Sequence, residues 1–288
     1  MVLTHHHHHH LFPLILSLSL LILPSSSRTH ELPALFSVPD QYLSGGQNLT
    51  DGNTVVSLSN DCSLTVYLLD ILVTDYQTST TTSNCILHLN NFGQFILTPS
   101  DEPAKNQTIY NPGPEGDYAL LFVGGIAAIY GPATWNNGVP ISTSTLKQRM
   151  LNAGSSDTFI ASSQSIIDGT GLIAQNGNVE ASITEDCTLV VSYVDTGVII
   201  WDTPRVYDNL TGCFLLFTYG ELLLQGYSGS TLVTQWTGGY PAVDIDLLVA
   251  ALRYNGRIDI YGFQRLLTPP SASATAAAVA ENIKMVTA

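Results

Sequence analysis

Basic residues are scarce in this chain. Lys and Arg total 9 against 23 Asp and Glu, for a formal net charge of −14. Such a surface repels phosphate backbones and anionic membranes, which argues against nucleic acid as a partner. Charge of either sign is thin, at 11%, yet 45% of the residues are hydrophobic. The chain therefore has the material to bury a core and does not read as disordered. Long helix-period runs are missing, while Gly, Ser, Thr and β-branched residues are plentiful, so an all-β fold is expected. Beyond the leader only His30 and His88 remain. A Ser-His-Asp system would have to use His88, inside the alternating run CILHLNN, with no nucleophile motif beside it. The sequence also has no GxGxxG or phosphate-loop pattern. These absences point away from an enzyme, and no cofactor is expected.

What the chain does contain is a repeat. SNDCSLTVYL (residues 59–68) has a near twin in TEDCTLVVSY (residues 184–193). Each has an acid directly before a cysteine, a small hydroxyl residue after it, then apolar alternation. A repeat this long means two copies of one domain rather than a solenoid of short units. Within each copy a finer repeat appears. TVYL, FILT and AIYG close successive units in the first, and VVSY, LLQG and DIYG do so in the second. Each copy thus reads as three similar subunits with threefold pseudo-symmetry.

The organisation follows from composition. Six histidines at 5–10, either a tag or a native run, precede an apolar segment from Leu11 to Leu23 and then Pro24 and three serines. This reads as a signal peptide over 1–27, cleaved near Ser27, with retention as a type II anchor the lesser reading; the apolar run is short for a membrane span. The expected location is secreted or vacuolar, with no membrane insertion once the signal is removed. The first domain runs over 35–140, a polar linker over 141–157, the second domain over 158–267, and a tail over 268–288 with two prolines and then an Ala-rich run. Short alternating segments separated by turn residues fill both domains: TVVSL, LTVYLLDIL, CILHLNNFGQFIL and DYALLFVGGIAAIYG in the first, VEASIT, TLVVSYVDTGVIIW, CFLLFTYGELLLQG and LLVAALRYNGRIDIYG in the second.

Four cysteines fall two per copy. An even count in a secreted chain favours disulfides, paired Cys62–Cys85 and Cys187–Cys213 within each copy. A zinc site is the alternative, but neither copy supplies histidines or clustered thiols beside them. Sequons at Asn48, Asn106 and Asn209 are candidate glycosylation sites.

The stretches SGGQNL (44–49), NDCSLTVY (60–67), GDYALLF (116–122), IYGPATW (129–135), EDCTLVVS (185–192), CFLLFTYGELLL (213–224) and IYG (260–262), in this order and spacing, resemble the monocot mannose-binding lectins of the bulb or snowdrop type. The chain is similar in particular to their two-domain, aroid-like members. The resemblance implies two tandem type II β-prism domains, each of three four-stranded sheets, with a disulfide joining the first two subunits. It also implies mannose sites on each sheet, carried by Gln-x-Asp-x-Asn-x-Val-x-Tyr. Alternate residues of a strand share a face, so that spacing aims all five side chains one way.

Mapped residue by residue, that pattern is degenerate here. The slots read Ser59, Asp61, Ser63, Thr65, Tyr67; Asn90, Phe92, Gln94, Ile96, Thr98; and Phe122, Gly124, Ile126, Ala128, Tyr130 in the first copy. In the second they read Thr184, Asp186, Thr188, Val190, Ser192; Phe217, Tyr219, Glu221, Leu223, Gln225; and Arg253, Asn255, Arg257, Asp259, Tyr261. Asp61 with Tyr67, and Asp186 with Val190, are the best remnants of sugar sites; the bland reading is an acid capping a turn beside a disulfide. Arg253 and Arg257 read either as a grip on an acidic sugar or as a solvated edge that discourages strand addition. Asp244 and Asp246 alternate on an expected strand, and an edge or turn position outweighs glycosidase chemistry for them. By the same resemblance, Trp135, Trp201 and Trp236, with Tyr110, stand where family members place the aromatics that pack the prism core. The function expected is carbohydrate binding of the mannose type with weak or altered specificity, glycans or glycoproteins being the partners. The alternative is a storage or protein-interaction protein on a lectin fold that has lost sugar binding. The assembly expected is a homodimer or paired domains.

Overall fold

Strong alternation and frequent turn residues produce short antiparallel strands throughout. The computed structural model describes residues 34–38, 41–51, 54–77, 84–100, 106–123, 126–141, 159–162, 165–241, 248–262 and 264–267. The leader 1–27, His30, Gly124, nearly all of the linker 141–157, Asp244, Asp246 and the tail 268–288 lie outside the described residues. Among the described residues all regular structure is β, and no helix is long and apolar enough to cross a membrane.

Among the described residues, twenty-four strands form six four-stranded sheets, three to a prism. In the first prism one sheet orders β3 (Gln47–Asp51), β4 (Thr54–Leu58), β5 (Leu64–Leu68) and β6 (Ile71–Tyr76) side by side. The second orders β2 (Leu43–Ser44), β7 (Cys85–Leu89), β8 (Phe95–Pro99) and β9 (Gln107–Ile109). The third orders β1 (Leu35–Phe36), β10 (Ala119–Val123), β11 (Ile126–Tyr130) and β24 (Gln264–Leu266). The second prism repeats the plan. Its sheets are β15 (Gly171–Asn176), β16 (Val179–Ile183), β17 (Leu189–Tyr193) and β18 (Ile199–Asp202); then β14 (Ser165–Asp168), β19 (Thr211–Thr218), β20 (Glu221–Ser228) and β21 (Thr231–Gly239). The last orders β12 (Ala133–Asn136), β23 (Ile258–Tyr261), β22 (Val249–Leu252) and β13 (Phe159–Ser162).

The third sheets are hybrids. β12 belongs to the first copy in sequence yet pairs with β23 of the second, and β24 of the second copy pairs with β11 of the first. Each prism thus closes an open sheet edge with a strand from the other, removing an edge that would otherwise be free to pair with another chain.

Inward-facing residues fill each prism separately. Leu49, Val56, Leu64, Leu87, Phe95 and Leu120 belong to one core, and Ala181, Leu189, Leu215, Phe217, Leu224 and Ile260 to the other. Disulfides Cys62–Cys85 and Cys187–Cys213 tie the first sheet of each prism to the second. Closing loops of this size stabilises each prism by about 3 kcal/mol in the chain-entropy account. The tryptophans collect at one place. Trp236 lies 6.0 Å from Trp135 and 5.6 Å from Trp201, all against the second core. Trp135 joins them because β12 has crossed over. Tyr110 packs on Phe95 in the first core, their ring centroids 6.0 Å apart.

A third apolar cluster lies on the opposite faces of the two hybrid sheets. It joins Ala119, Leu121, Ala128 and Tyr130 of the first to Val249, Ala251 and Tyr261 of the second, with Ala34, Phe36 and Val38 among them. Burial pushes the Tyr130 hydroxyl well above its ordinary pKa.

Candidate functional site

One turn geometry recurs where the slots begin. In Ser59–Ser63 the Ser59 N–H donates to the Ser63 carbonyl at 2.9 Å, and the Cys62 N–H donates back to Ser59 at 3.1 Å. The same two bonds join Asn90 with Gln94 and Gly93, Thr184 with Thr188 and Cys187, and Arg253 with Arg257 and Gly256. In every case the fourth residue is left-handed: Cys62 at φ 69°, Gly93 at 67°, Cys187 at 56° and Gly256 at 88°. Glycine takes that conformation freely; the two cysteines occupy it in the turns that carry the disulfides.

The first slot lies on the sheet β3–β6. Leu64 and Val66 point into the core, which leaves Thr65 and Tyr67 on the outward face of β5, Tyr67 with 36% of its surface exposed. The preceding turn brings Asp61 and Ser63 beside them, but the polar groups there already serve one another. The Ser59 hydroxyl donates to the Asp61 carboxylate and accepts the Ser63 N–H at 2.9 Å; Ser63 N–H also reaches Asp61 at 3.4 Å. The Ser59 hydroxyl, followed by the Ser63 amide, holds the Asp61 carboxyl below its ordinary pKa.

The second copy's counterpart lies on β15–β18. Thr188, Val190 and Ser192 follow the turn but are nearly covered, at 5%, 8% and 7% exposure. Thr184 Oγ1 accepts the Thr188 N–H at 3.2 Å, and the Ser192 hydroxyl reaches Glu180 at 3.4 Å. Asp186 is exposed, and Arg205 lies across it: the guanidinium pairs with the Asp186 carboxylate and donates to the Thr188 hydroxyl at 3.3 Å. Arg205 comes from the loop after β18, which Gln235 pins by accepting the N–H groups of Val206 and Tyr207 and donating to the Tyr207 carbonyl. The sequence reading missed Arg205. The contact depends on a loop folding back over a turn, which leaves no periodic trace.

The slot beginning at Arg253 lies against the other prism. Arg253 is 1% exposed, Arg257 8%, and Asp259 and Tyr261 are fully buried. The Arg253 guanidinium pairs with Asp259, donates to the Tyr261 hydroxyl at 3.0 Å, and sits 5.1 Å from the Phe36 ring centre. Arg257 joins Asp259 at 2.7 Å and Asp117 of the first copy at 2.5 Å. Burial alone would push the Arg253 pKa down; Tyr261, Asp259 and Asp117 outweigh it and hold the guanidinium charged. Burial, in turn, drives the Tyr261 hydroxyl well above its ordinary pKa. The pair is therefore neither an open grip for an acidic sugar nor a solvated edge. Asn255 donates to the Pro140 carbonyl at 3.1 Å. The slot ending at Tyr130 is closed by the same junction, with Ala128 and Tyr130 buried.

Two slots remain. At Asn90 the side chain accepts the Phe92 and Gln94 N–H groups, and Gln94 donates to Tyr110. At β19–β20 the turn is the two-residue Tyr219–Gly220, and this shorter connection leaves Phe217 in the core while Leu223 and Gln225 face outward. The sequons occupy strand and loop positions: Asn48 is half-buried on β3, Asn106 is exposed before β9, and Asn209 is exposed after the Arg205 loop. His88 stands on β7 opposite Ile96, and burial lowers its pKa.

No family model and no curated protein matches the sequence. Among solved structures, the chain is similar to the fetuin-binding agglutinin of Scilla campanulata, a two-domain lectin. Identity is 21%, over 82% of this chain and 100% of that one, with a TM-score of 0.63. Single-prism matches include the mannose-specific agglutinin of snowdrop, Galanthus nivalis, in complex with methyl-α-D-mannoside (24% identity, 38% of this chain and 99% of that one, TM-score 0.32). The mannose-specific lectin of Dutch crocus, Crocus vernus, is another (26%, 39% and 96%, TM-score 0.31). At this identity the two-domain likeness establishes the fold, two tandem β-prisms.

Proposed function

We propose that this two-prism protein is a carbohydrate-binding lectin of the mannose-binding type, with weak or altered specificity, that binds glycans without catalysing a reaction on them. One observation carries the reading: Thr65 and Tyr67 share the outward face of β5 and Asp61 is exposed in the turn that leads into it, offering a hydroxyl, an aromatic ring and a carboxylate along one strand. Those are the groups that recognise sugar hydroxyls and the apolar face of a pyranose. The secretory route and glycoprotein partners belong to the same proposal, supported by the two disulfides.

A second reading has its own support. Ser59, Asp61, Asp186 and Arg205 are satisfied by each other, and the Arg253 slot is closed between prisms. A lectin fold acting in storage or protein interaction would look the same. An array holding high-mannose and complex glycans, together with retention on immobilised mannose, separates the two. Retention that free mannose reverses supports the first. Silence across the array with a folded, monodisperse sample supports the second.

A further inference from the structure

Strand register places a sequon on the sugar-facing side of the first sheet. Asn48 pairs with Ser57, Ser57 with Thr65, and Thr65 with Asp75, so these four form one row across β3–β6. Thr50 heads the next row, through Val55 and Tyr67 to Leu72. Leu49, Val56 and Val66 are the buried members of their strands, so both rows lie on the outward face. The sequon Asn48-Leu49-Thr50 thus shares its face with the slot. Two strand spacings put Asn48 about 10 Å from Thr65, less than the span of a branched glycan of several sugars. The twin sheet lacks this feature: there Ile173 precedes the buried Ala174 where Asn48 precedes Leu49.

We propose that Asn48 is an N-glycosylation site whose glycan lies over the outward face of β3–β6 and closes the slot from Asp61 to Tyr67. The inference rests on the sugar-face reading for its functional meaning and on register alone for its geometry. In the transfer, the Asn48 amide nitrogen attacks C1 of an oligosaccharide carried on a lipid diphosphate. The C1–N bond forms, the C1–O bond to the diphosphate breaks, the lipid diphosphate departs, and the amide gives one proton to base. The modified asparagine lies two strands away from Thr65, so the glycan crosses β4 before it reaches Tyr67. Asn106, beside β9 in a different sheet, and Asn209, in the second prism, attach to neither row.

The test uses the full chain secreted from a eukaryotic host. Peptide mapping before and after enzymatic deglycosylation reads occupancy, and tyrosine nitration reads cover. Asn48 is expected to carry a glycan, and Tyr67 to be nitrated several-fold faster once it is removed, while Tyr227, exposed in the second prism, reacts at an unchanged rate. Asn48→Gln and Thr50→Ala delete the sequon in different ways and should both give the deglycosylated rate; Asn106→Gln should not. An unmodified Asn48, or a Tyr67 rate indifferent to the glycan, overturns the proposal whether or not the protein binds sugar. Retention on immobilised mannose is then read on the same variants. A gain in both sequon variants supports the gate. Faster nitration without retention keeps the glycan cover and counts against the sugar-binding reading alone.

Discussion

At the scale of single residues, the remnant slots fail through self-satisfaction as much as through loss. Ser59 is too short to reach a ligand and instead ties up Asp61, which a sugar hydroxyl would need as an acceptor. Introducing Ser59→Gln, Ser63→Asn and Thr65→Val together lengthens two polar groups and lays an apolar patch beside Tyr67. Each regained hydrogen bond contributes about 0.5–1.5 kcal/mol, so mannose retention of the glycan-free protein should rise about fivefold or more; an unchanged elution volume would show that the slot is not a sugar site. In the second copy the obstruction is a cation. The Arg205–Asp186 pair is half-exposed, and such pairs contribute about 0–1 kcal/mol. Arg205→Ala should therefore leave the melting temperature nearly unchanged while raising glycan-array signal at the Asp186 slot. His88 adds a pH effect. Its pKa is lowered by burial, so the unfolded chain takes up its proton first as pH falls below about 6.5. Stability from this group is complete above that value and is lost on further acidification. Denaturant midpoints measured across pH 5–7.5 should fall less steeply for His88→Gln than for the unmodified protein; parallel curves would sink the assignment.

Among elements, the repeated turn is what the sequence showed best. Acid-before-cysteine in both copies marked the twin turns at 59–63 and 184–188, and alternation marked β4, β5, β7, β8, β17 and β20 correctly. Strands of two or three residues such as β1, β9 and β24 carry too few positions for a period of two to register. β21 was also missed despite its nine residues, because its turn at Gly229 falls in a run of small polar residues resembling loop. Phe217 went to the wrong face because the Tyr219–Gly220 turn is shorter than its counterparts. The burial of Arg253 and Arg257 was illegible for a different reason: an alternating strand with charged members looks the same whether water or another sheet covers it. The turn itself can be tested at Gly93. Its φ is +67°, and an added Cβ would stand 2.6 Å from Cε1 of Tyr118. Left-handed backbone costs about 1–2 kcal/mol for an alanine, and shifting a packed ring costs about 1–3 kcal/mol more. Gly93→Ala should therefore lower stability by about 2–5 kcal/mol in urea unfolding, the sum of those two costs. A loss below 1 kcal/mol would mean that Tyr118 moves aside freely.

For the whole molecule, the question is whether two prisms behave as one cooperative body. Three kinds of linkage join them: the exchanged strands β12 and β24, the apolar cluster around Phe36, Tyr130 and Tyr261, and the ion network of Asp117 with Arg253, Arg257 and Asp259. Neither third sheet is complete without a strand from the other copy, so unfolding one prism strips an edge from its neighbour. Tryptophan provides a local reporter, because all three tryptophans, including Trp135 from the first copy, sit on the second prism. Far-ultraviolet circular dichroism reports both. The two signals should trace one coincident transition in denaturant, as cooperative unfolding requires. Asp259→Asn sharpens the test. It leaves two buried guanidinium groups sharing Asp117, and breaking a buried ion pair in this way costs about 3–5 kcal/mol. Because the network spans the junction, both probes should shift together by that amount. Replacing Arg253 and Asp259 jointly by Met and Leu removes the charges as well as the bond, and such exchanges are often neutral or stabilising by about 1–4 kcal/mol; stability should then recover most of the loss. A fluorescence transition that separates from the dichroism, in the parent or in Asp259→Asn, would mean that the prisms unfold independently and that the exchanged strands do not couple them.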